Sequence, residues 1–285
     1  MSPPLPYRLV NQLGRTLFLD KVADPIADLV RKLTDHQLVK NALSGTWLGH
    51  RLHPLLTDVA IGSYLGAALA DLVVPGQAGQ LAAKRLLAAG LVATVPTAAA
   101  GLSDWTDVYG DARRIGLVHA AGNVAASGMF LASLVQRSRG RLACGRALSW
   151  AGLGVMTGAG YLGGHLSYVL GVGVDHTGFQ PRLEDWVDVV AGADVSDDGD
   201  PVVASAGDFE VLLLRRGGRL HALARRCSHA GWGMEGGEVA DGCITCPYHA
   251  STFALHDGQV RRGPAATAQP VYRTREVDGR IEVRS

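Results

Sequence analysis

The stretch CSHAGWGMEGGEVADGCITCPYHASTFALHDGQVRRGPA, residues 227–265, decides how the last third of the chain folds. It contains two short pairs, Cys227 with His229 and Cys246 with His249, and each pair offers one thiolate and one imidazole. A two-cysteine, two-histidine zinc site usually takes both cysteines from one segment and both histidines from another, so zinc is a poor fit. Mixed pairs suit a [2Fe–2S] centre in which one iron binds both thiolates and the other binds both imidazoles.

The sequence around this stretch has the pattern of short β-strands. Gly217-Gly218 and Asp278-Gly279 each separate two strand-like runs, and such dipeptides are hairpin-turn signals. We therefore predict a small all-β domain, an antiparallel β sandwich, over residues 201–285. A polar linker is predicted before it, over residues 177–200.

The stretch resembles the Rieske domain of ferredoxin-type proteins, and the resemblance covers about residues 200–285. Besides the two ligand pairs, it is carried by Gly237, by Phe253 and by the Arg262-Gly263-Pro264 turn. Ala250 departs from the pattern, because glycine is usual after the second histidine.

The resemblance implies a Rieske cluster and assigns roles to particular residues. It implies that Ser251 donates a hydrogen bond to a cluster sulfide, whereas Phe253 replaces a tyrosine that adds a second such bond in high-potential relatives. Because hydrogen bonds to cluster sulfur raise the potential, an intermediate or low value is expected. The implied ligands are Cys227, His229, Cys246 and His249.

Two other kinds of Rieske protein fit the sequence less well. Respiratory members carry a disulfide between the cluster loops, and its two positions are occupied here by Trp232 and Tyr248. Ring-hydroxylating oxygenases need a second domain in which two histidines and a carboxylate hold mononuclear iron, and no soluble domain is left to supply it. We therefore expect an electron-transfer protein and leave open whether the chain is itself an enzyme. A net formal charge of +1 argues against nucleic-acid binding.

The residues before about 173 are far more apolar, and they predict a membrane domain. Crossing a hydrocarbon core takes roughly 20 apolar residues. Four runs approach that length: about 54–74, 86–102, 115–135 and 147–173. We predict a multidomain protein with a four-helix transmembrane α bundle over residues 46–176. Residues 1–45 are predicted to form an amphipathic interfacial segment, with Asp24-Pro25 starting a helix that ends near Gly45. Buried helices of a soluble bundle are the alternative.

The membrane half resembles a family of uncharacterised four-helix bacterial membrane proteins, known as a domain of unknown function. The resemblance is carried by Gly49-His50, by the run from His53 to Asp58, by Arg114 to His119 and by Gly163-Gly164-His165. It implies no settled activity.

Three histidines of this half are candidate site residues. Four crossings would bring His53, His119 and His165 towards one membrane face, the face that also holds both termini. Polar residues inside a bilayer are costly and are functional candidates by default. His119 and His165, with or without His53, are interpreted as ligands of a haem b or as a quinone pocket. Hydrogen bonds between helices, with Asn123 nearby, are the structural alternative.

These features predict a multi-pass protein of the bacterial inner membrane that passes single electrons between a soluble redox partner protein and the haem or quinone site. A membrane-anchored ferredoxin serving a separate enzyme is a second hypothesis, and a redox sensor is a third. The absence of export signals and of the disulfide favours a cytoplasmic Rieske domain, although the arginines of loop 136–146 favour the opposite orientation. An oligomer is compatible with the sequence.

Overall fold

A computed structural model describes residues 3–285, and the chain forms two compact units. The first unit comprises the residues up to Asp35 together with Leu52–Val172, and the second comprises His36–Arg51 together with Gly173–Ser285. The second unit is therefore discontinuous in sequence. It includes residues 36–51, which the sequence analysis divided between the interfacial segment and the bundle.

The helices, numbered in chain order, lie mostly in the first unit. Their bounds are α1 Leu5–Gly14, α2 Asp20–Thr34, α3 Gln37–Ser44, α4 Leu52–Val73, α5 Gly76–Trp105, α6 Gly110–Ser138 and α7 Leu142–Tyr168. Of these, α3 belongs to the second unit. The four long helices α4 to α7 form the bundle, whose core includes the stacked rings of Tyr64 and Phe130, with centroids 3.8 Å apart. Gly90 lies against Tyr64 and Gly152 lies against Phe130, so small residues let the helices approach closely.

Three helices in residues 3–285 are long and apolar enough to cross a membrane, namely α4, α5 and α6. The prediction of four such helices is therefore corrected. The fourth helix, α7, has 27 residues, but its many glycines, its hydroxyl-bearing residues and Arg146 reduce its apolar character. Large apolar side chains of the bundle face outwards, as Val92, Val95 and Val124 do with exposures of 73, 70 and 73%. Such a surface suits hydrocarbon rather than water.

The N-terminal segment differs in detail from its prediction. Helix α2 begins at Asp20, four residues before the expected start, and contains Pro25. An acidic residue is favourable in the first turn of a helix, and Arg114 donates to both oxygens of Asp20 at 2.7 and 2.8 Å. The helix ends at Thr34, and a second helix, α3, continues to Ser44 before Gly45 with φ of +79°. The exposed apolar residues of α2 recur at helical spacing: Val22, Ile26, Leu29 and Leu33.

A buried ion pair joins α4 to α6 at one end of the bundle. Arg137 donates through Nη1 to Asp71 Oδ1 at 2.8 Å, and both side chains are buried. Ser133 and Ser149, which are also buried, provide further partners for the guanidinium. The pair is satisfied on all sides, which a charge in an apolar interior requires.

The second unit is built on two antiparallel sheets. The strands are β1 Val187–Ala191, β2 Val202–Ala206, β3 Phe209–Arg216, β4 Arg219–Ala224, β5 Glu238–Ala240, β6 Cys243–Thr245, β7 Thr252–Ala254, β8 Val260–Arg262, β9 Val271–Val277 and β10 Arg280–Arg284. The larger sheet has the order β1-β10-β9-β4-β3-β2, and the smaller has the order β5-β6-β7-β8. Both predicted hairpins are confirmed at Gly217-Gly218 and Asp278-Gly279. Strand β1 lies within the stretch predicted to be a linker.

Strand β3 separates the two apolar cores of this unit. Successive side chains of a strand point to opposite faces. Val211 and Leu213 accordingly pack into one core, whereas Leu212 and Leu214 pack into the other. The second core also contains Cys227 and Cys246, so the predicted thiolate ligands are buried in apolar surroundings.

Candidate metal centre

Two loops of the second unit carry the predicted ligands, and they share one hydrogen-bond pattern. In the first loop, after β4, Cys227 N–H donates to Trp232 O and Gly231 N–H donates to Cys227 O, both at 2.8 Å. In the second, between β6 and β7, Cys246 N–H donates to Ser251 O at 2.8 Å and Ala250 N–H donates to Cys246 O at 3.0 Å. Gly231 and Ala250 take the same place in the two turns, with φ of +74° and +58°.

The four predicted ligand side chains lie together as two pairs. The thiols of Cys227 and Cys246 are buried and hydrogen-bonded to each other. The rings of His229 and His249 pack edge to face, with centroids 4.9 Å apart. Within the described residues, no group of three or more His, Cys, Asp or Glu side chains could hold one metal ion. A thiol pair beside an imidazole pair suits two irons better than one zinc ion.

The atom best placed to bind iron is Nδ1 of His229. This residue is 9% exposed, and its Nδ1 is buried with no hydrogen-bond partner in residues 3–285. Burial and the nearby positive charge of Arg51 keep the pKa of His229 well below its usual value. The ring is therefore neutral near pH 7, which is the form that binds metals.

The backbone around the two cysteines favours thiolate. The hydrogen bond from the Cys227 thiol lowers the pKa of Cys246 to about 7, and N–H groups of Tyr248 and His249 act in the same direction. The same thiol–thiol hydrogen bond, followed by burial, raises the pKa of Cys227. N–H groups of His229 and Ala230 oppose that rise. Each sulfur thus receives two backbone donors.

A buried glutamine that the sequence analysis missed supports the first loop. Gln269 is 1% exposed, and its Oε1 accepts from the N–H of Ser228 at 2.9 Å. Its Nε2 donates to Ala224 O at 2.8 Å and to Arg226 O at 2.6 Å. The only signal in the sequence was a lone amide in a run of small residues. The side chain ties the end of β4 to the residue between the two ligands.

The second loop is supported by Ser251 and by the chain that follows β8. Ser251 is fully buried, and its Oγ accepts from Ala265 N–H at 3.0 Å. That bond uses a lone pair, so the hydroxyl proton remains available to another acceptor. Arg262 Nη1 donates to Ala250 O at 3.1 Å.

Trp232 and Tyr248 stack on each other where respiratory relatives would have their disulfide. Their ring centroids are 4.9 Å apart, their planes differ by 26°, and each residue is 53% exposed. Cys144 and Cys243 are free thiols. The two cluster loops are thus joined by an aromatic contact.

In the first unit, the structure pairs His119 with His53. His53 Nδ1 lies 2.9 Å from Thr97 O and His119 Nδ1 lies 2.7 Å from Ala159 O. In the neutral form of each ring, the nitrogen that donates to the carbonyl oxygen carries the proton, which leaves the lone pair on Nε2. The ring centroids are 6.4 Å apart, with an angle of 81° between the planes.

Two glycines make room for this histidine pair. A Cβ at Gly101 would lie 2.7 Å from Cε1 of His53, and one at Gly163 would lie 3.0 Å from Cε1 of His119. Asn123 Nδ2 donates to the backbone oxygen of His119 at 2.9 Å and lies 3.3 Å from its Nε2.

His165 lies on another face of α7 from the residue that contacts His119, and the predicted match of His119 with His165 stays a prediction. Gly163 faces His119, and a residue two positions further along a helix points about 200° away. His165 instead packs against Tyr7 of α1, with ring centroids 5.6 Å apart. Its Nε2 is buried and has no hydrogen-bond partner in residues 3–285.

Comparisons with known proteins follow the same division of the chain. Residues 185–273 match the model of the Rieske [2Fe-2S] domain, and residues 49–176 match that of a predicted membrane protein family (DUF2231). The anthranilate 1,2-dioxygenase ferredoxin subunit of Burkholderia cepacia is 32% identical over 104 residues, which are 36% of this chain and 95% of that protein. The cytochrome b6-f complex iron-sulfur subunit of Chlorobaculum tepidum is 33% identical over 76 residues, 27% of this chain and 41% of that protein. The solved ferredoxin of carbazole 1,9a-dioxygenase from Nocardioides aromaticivorans IC177 is 23% identical, with a TM-score of 0.34, over 35% of this chain and 98% of that chain.

Proposed function

The chain belongs to the Rieske [2Fe–2S] family, and we propose that it is a membrane-bound carrier of single electrons whose cluster is held by Cys227, His229, Cys246 and His249. The observation that carries this assignment is the buried Nδ1 of His229, which lacks a partner in residues 3–285. Burying such an atom is costly unless something satisfies it, and an iron on the imidazole side does so. When bound, the cluster supplies reversible one-electron oxidation and reduction.

The surrounding residues hold the ligands and adjust their electron density. Backbone N–H groups near the two buried sulfurs would stabilise the negative charge of the thiolates. Ser251 would donate its remaining proton to a cluster sulfide, as the family resemblance implies. The exposed pair of Trp232 and Tyr248 keeps the two loops together in place of a covalent bridge.

Electron paramagnetic resonance tests this assignment. The reduced full-length protein should give a Rieske signal with a low average g value, and His249→Ala should abolish it. His256→Ala is the matched control, because His256 is an exposed histidine of the same unit whose partner is Asp257. Protein that contains zinc without iron, or a His249→Ala variant with the parent signal, would contradict the assignment.

The proposed partner on the soluble side is a redox protein. The ferredoxin subunit that this chain resembles supports a protein partner. A second possibility, which follows from the proposed quinone site in the bundle, is that the partner is a quinol. Mixing the reduced protein with an oxidised partner protein and following the return of the cluster absorbance tests the first, and mixing the oxidised protein with a quinol and following the bleaching of the cluster tests the second.

The membrane bundle is proposed to hold the second redox group, haem b or quinone, at the pair of His53 and His119. Both rings are oriented by backbone oxygens, as ligating histidines usually are, and a ligand at His119 Nε2 would displace the contact of that atom with Asn123 Nδ2. The Nε2 atoms can ligate haem iron, or one of them can accept a hydrogen bond from a quinol. His165 is a separate candidate, since it packs with Tyr7.

An optical spectrum of protein purified from membranes tests the bundle site. Haem absorbance that is lost in both His53→Ala and His119→Ala supports a haem. Quinol-dependent reduction of the cluster that is lost in the same variants supports a quinone. His165→Ala serves as the comparison, because loss in that variant and not in His53→Ala would favour the original pairing of His119 with His165.

Two other functions remain as competing proposals. An anchored ferredoxin would keep its Rieske signal and its partner in all three histidine variants. A redox sensor would bind a partner protein in only one oxidation state of the cluster. A pull-down performed with oxidised and with reduced protein distinguishes the sensor from both carriers.

We place the protein in the inner membrane, with several crossings and with the Rieske domain in the cytoplasm. The exposed apolar stripe of α2 supports an interfacial position for that helix. Cys144, which is exposed at the start of α7, reports the position of loop 136–146. A membrane-impermeant thiol reagent added to intact cells should label Cys144 and should spare Ser285→Cys in a Cys144→Ser background. The opposite result would reverse the orientation.

A further inference from the structure

The segment from His36 to Arg51 belongs to the second unit although it lies far from that unit's other residues in sequence. The Rieske match begins at residue 185, and the membrane-family match begins only at residue 49. Helix α3 and the 3₁₀ turn Thr46–Leu48 are therefore covered by neither family. Nothing in the family assignments gives this helix a role.

Helix α3 covers the open edge of the smaller sheet. Strand β8 is an edge strand, and its residues Val260 and Arg262 pair with β7. The backbone groups of Arg261 and Gly263 therefore point away from the sheet. Asn41 Oδ1 accepts from Gly263 N–H at 2.8 Å, and Asn41 Nδ2 donates to Arg261 O at 3.1 Å. One side-chain amide thus supplies the donor and the acceptor that a further strand would supply.

The contact between α3 and this edge is closely packed. Gln37 Nε2 adds a second donor to Arg261 O at 3.2 Å. A Cβ at Gly263 would lie 3.2 Å from Ser44 Oγ and 3.3 Å from Thr46 Cγ2, and Ser44 is completely buried. A methyl group at position 263 would therefore force Ser44 or Thr46 to shift by a few tenths of an ångström.

The residues after β8 connect this edge to the second cluster loop. Arg262 donates a hydrogen bond to Ala250 O, and Ala265 N–H donates one to Ser251 Oγ. We propose that Asn41 is a positioning residue for the cluster, because its amide fixes the turn from Arg261 to Ala265 against which Ser251 is held. This inference rests on the proposed cluster. It adds a residue outside both family domains to the group that sets the reduction potential.

The test is a redox titration of the full-length protein followed by electron paramagnetic resonance. Asn41→Ala should loosen the turn and weaken the hydrogen bond from Ser251 to sulfur, which favours the oxidised cluster. We expect the reduction equilibrium to shift by about tenfold, which is about 59 mV towards lower potential for one electron. Asn41→Asp should shift it in the same direction, because a carboxylate oxygen would face Arg261 O. Leu38→Ala, a 74% exposed position on the same helix, is the control and should leave the potential unchanged.

The outcomes separate the two proposals. A parent protein without a Rieske signal would overturn the proposed function itself. A normal signal in Asn41→Ala with the potential of the parent would overturn only the role of Asn41. If Asn41→Ala loses its iron, the reduction potential of Gln37→Ala is measured instead, because that variant removes only one hydrogen bond to Arg261 O. A small shift to lower potential supports the inference, and an unchanged potential overturns it.

Discussion

Replacing Gln269 with alanine should destabilise the second unit by more than almost any other single polar change in it. The side chain makes three buried hydrogen bonds, to Ser228 N–H and to the oxygens of Ala224 and Arg226. Each such bond contributes about 1 kcal/mol, and a buried group left without a partner costs about 1–3 kcal/mol. Since some of these groups can rebind water, we expect the free energy of unfolding to fall by about 3–4 kcal/mol.

The measurement is a denaturant titration in detergent, followed by loss of the visible circular dichroism of the cluster, which reports the second unit alone. Gln259→Ala is the matched control, because Gln259 is exposed and its side chain makes no hydrogen bond in the described residues. This control should change the free energy of unfolding by less than about 0.5 kcal/mol. Gln269→Glu should be at least as damaging as Gln269→Ala, since it places a carboxylate against two carbonyl oxygens. If Gln269→Ala matches Gln259→Ala, the amide does not hold the first cluster loop.

Three further results are expected. Ala250→Gly should stabilise the second unit by about 0.5–1 kcal/mol in the same titration, because Ala250 has φ of +58°. Ala240→Gly in strand β5 is the control and should destabilise the unit. Stability changes of the same sign in both variants would contradict this explanation. Asp71→Asn should lower the stability of the bundle by about 3–5 kcal/mol, because Arg137 would be left buried without its counter-ion. Thermal unfolding in detergent measures this change, and a loss below about 1 kcal/mol would count against a buried charge pair. Burial lowers the pKa of His221 below its usual value of about 6.5, so its contribution to stability is complete above that pH and is lost as the pH falls through the folded-state pKa. His221→Gln should therefore flatten the decline in the stability of the second unit between about pH 7 and 5. Parallel stability curves for the variant and the parent would refute the effect.

What the sequence predicted well was local. The ligand pairs, the two glycine-containing hairpin turns and the apolar helices all depend on residues close together in the chain. The structure brings Cys227, His229, Cys246 and His249 together because each loop is closed by its own backbone hydrogen bonds. A single sequence is sufficient to recognise features of this kind.

What the sequence did not predict depends on distant partners or on rotation about a helix axis. The roles of Asn41 and Gln269 depend on contacts with residues 222 and 41 positions away. Strand β1 forms only because β10, at the far end of the chain, pairs with it. The different directions of Gly163 and His165 were not predicted, because two positions along α7 reverse the direction of a side chain, which a count of helical crossings does not capture.

The discontinuity of the second unit sets an order for its biosynthesis. Asn41 leaves the ribosome long before Gly263, its partner 222 positions later, and all three helices suited to a membrane are translated between them. The edge of the smaller sheet therefore cannot be covered until those helices have been made, so the cluster pocket is completed after the membrane segments are synthesised. A soluble fragment that begins at the Rieske domain would lack its own edge cover and would expose β8 to pairing with other copies. A stable soluble form should therefore need residues 36–51, joined to the Rieske domain by a linker in place of the bundle.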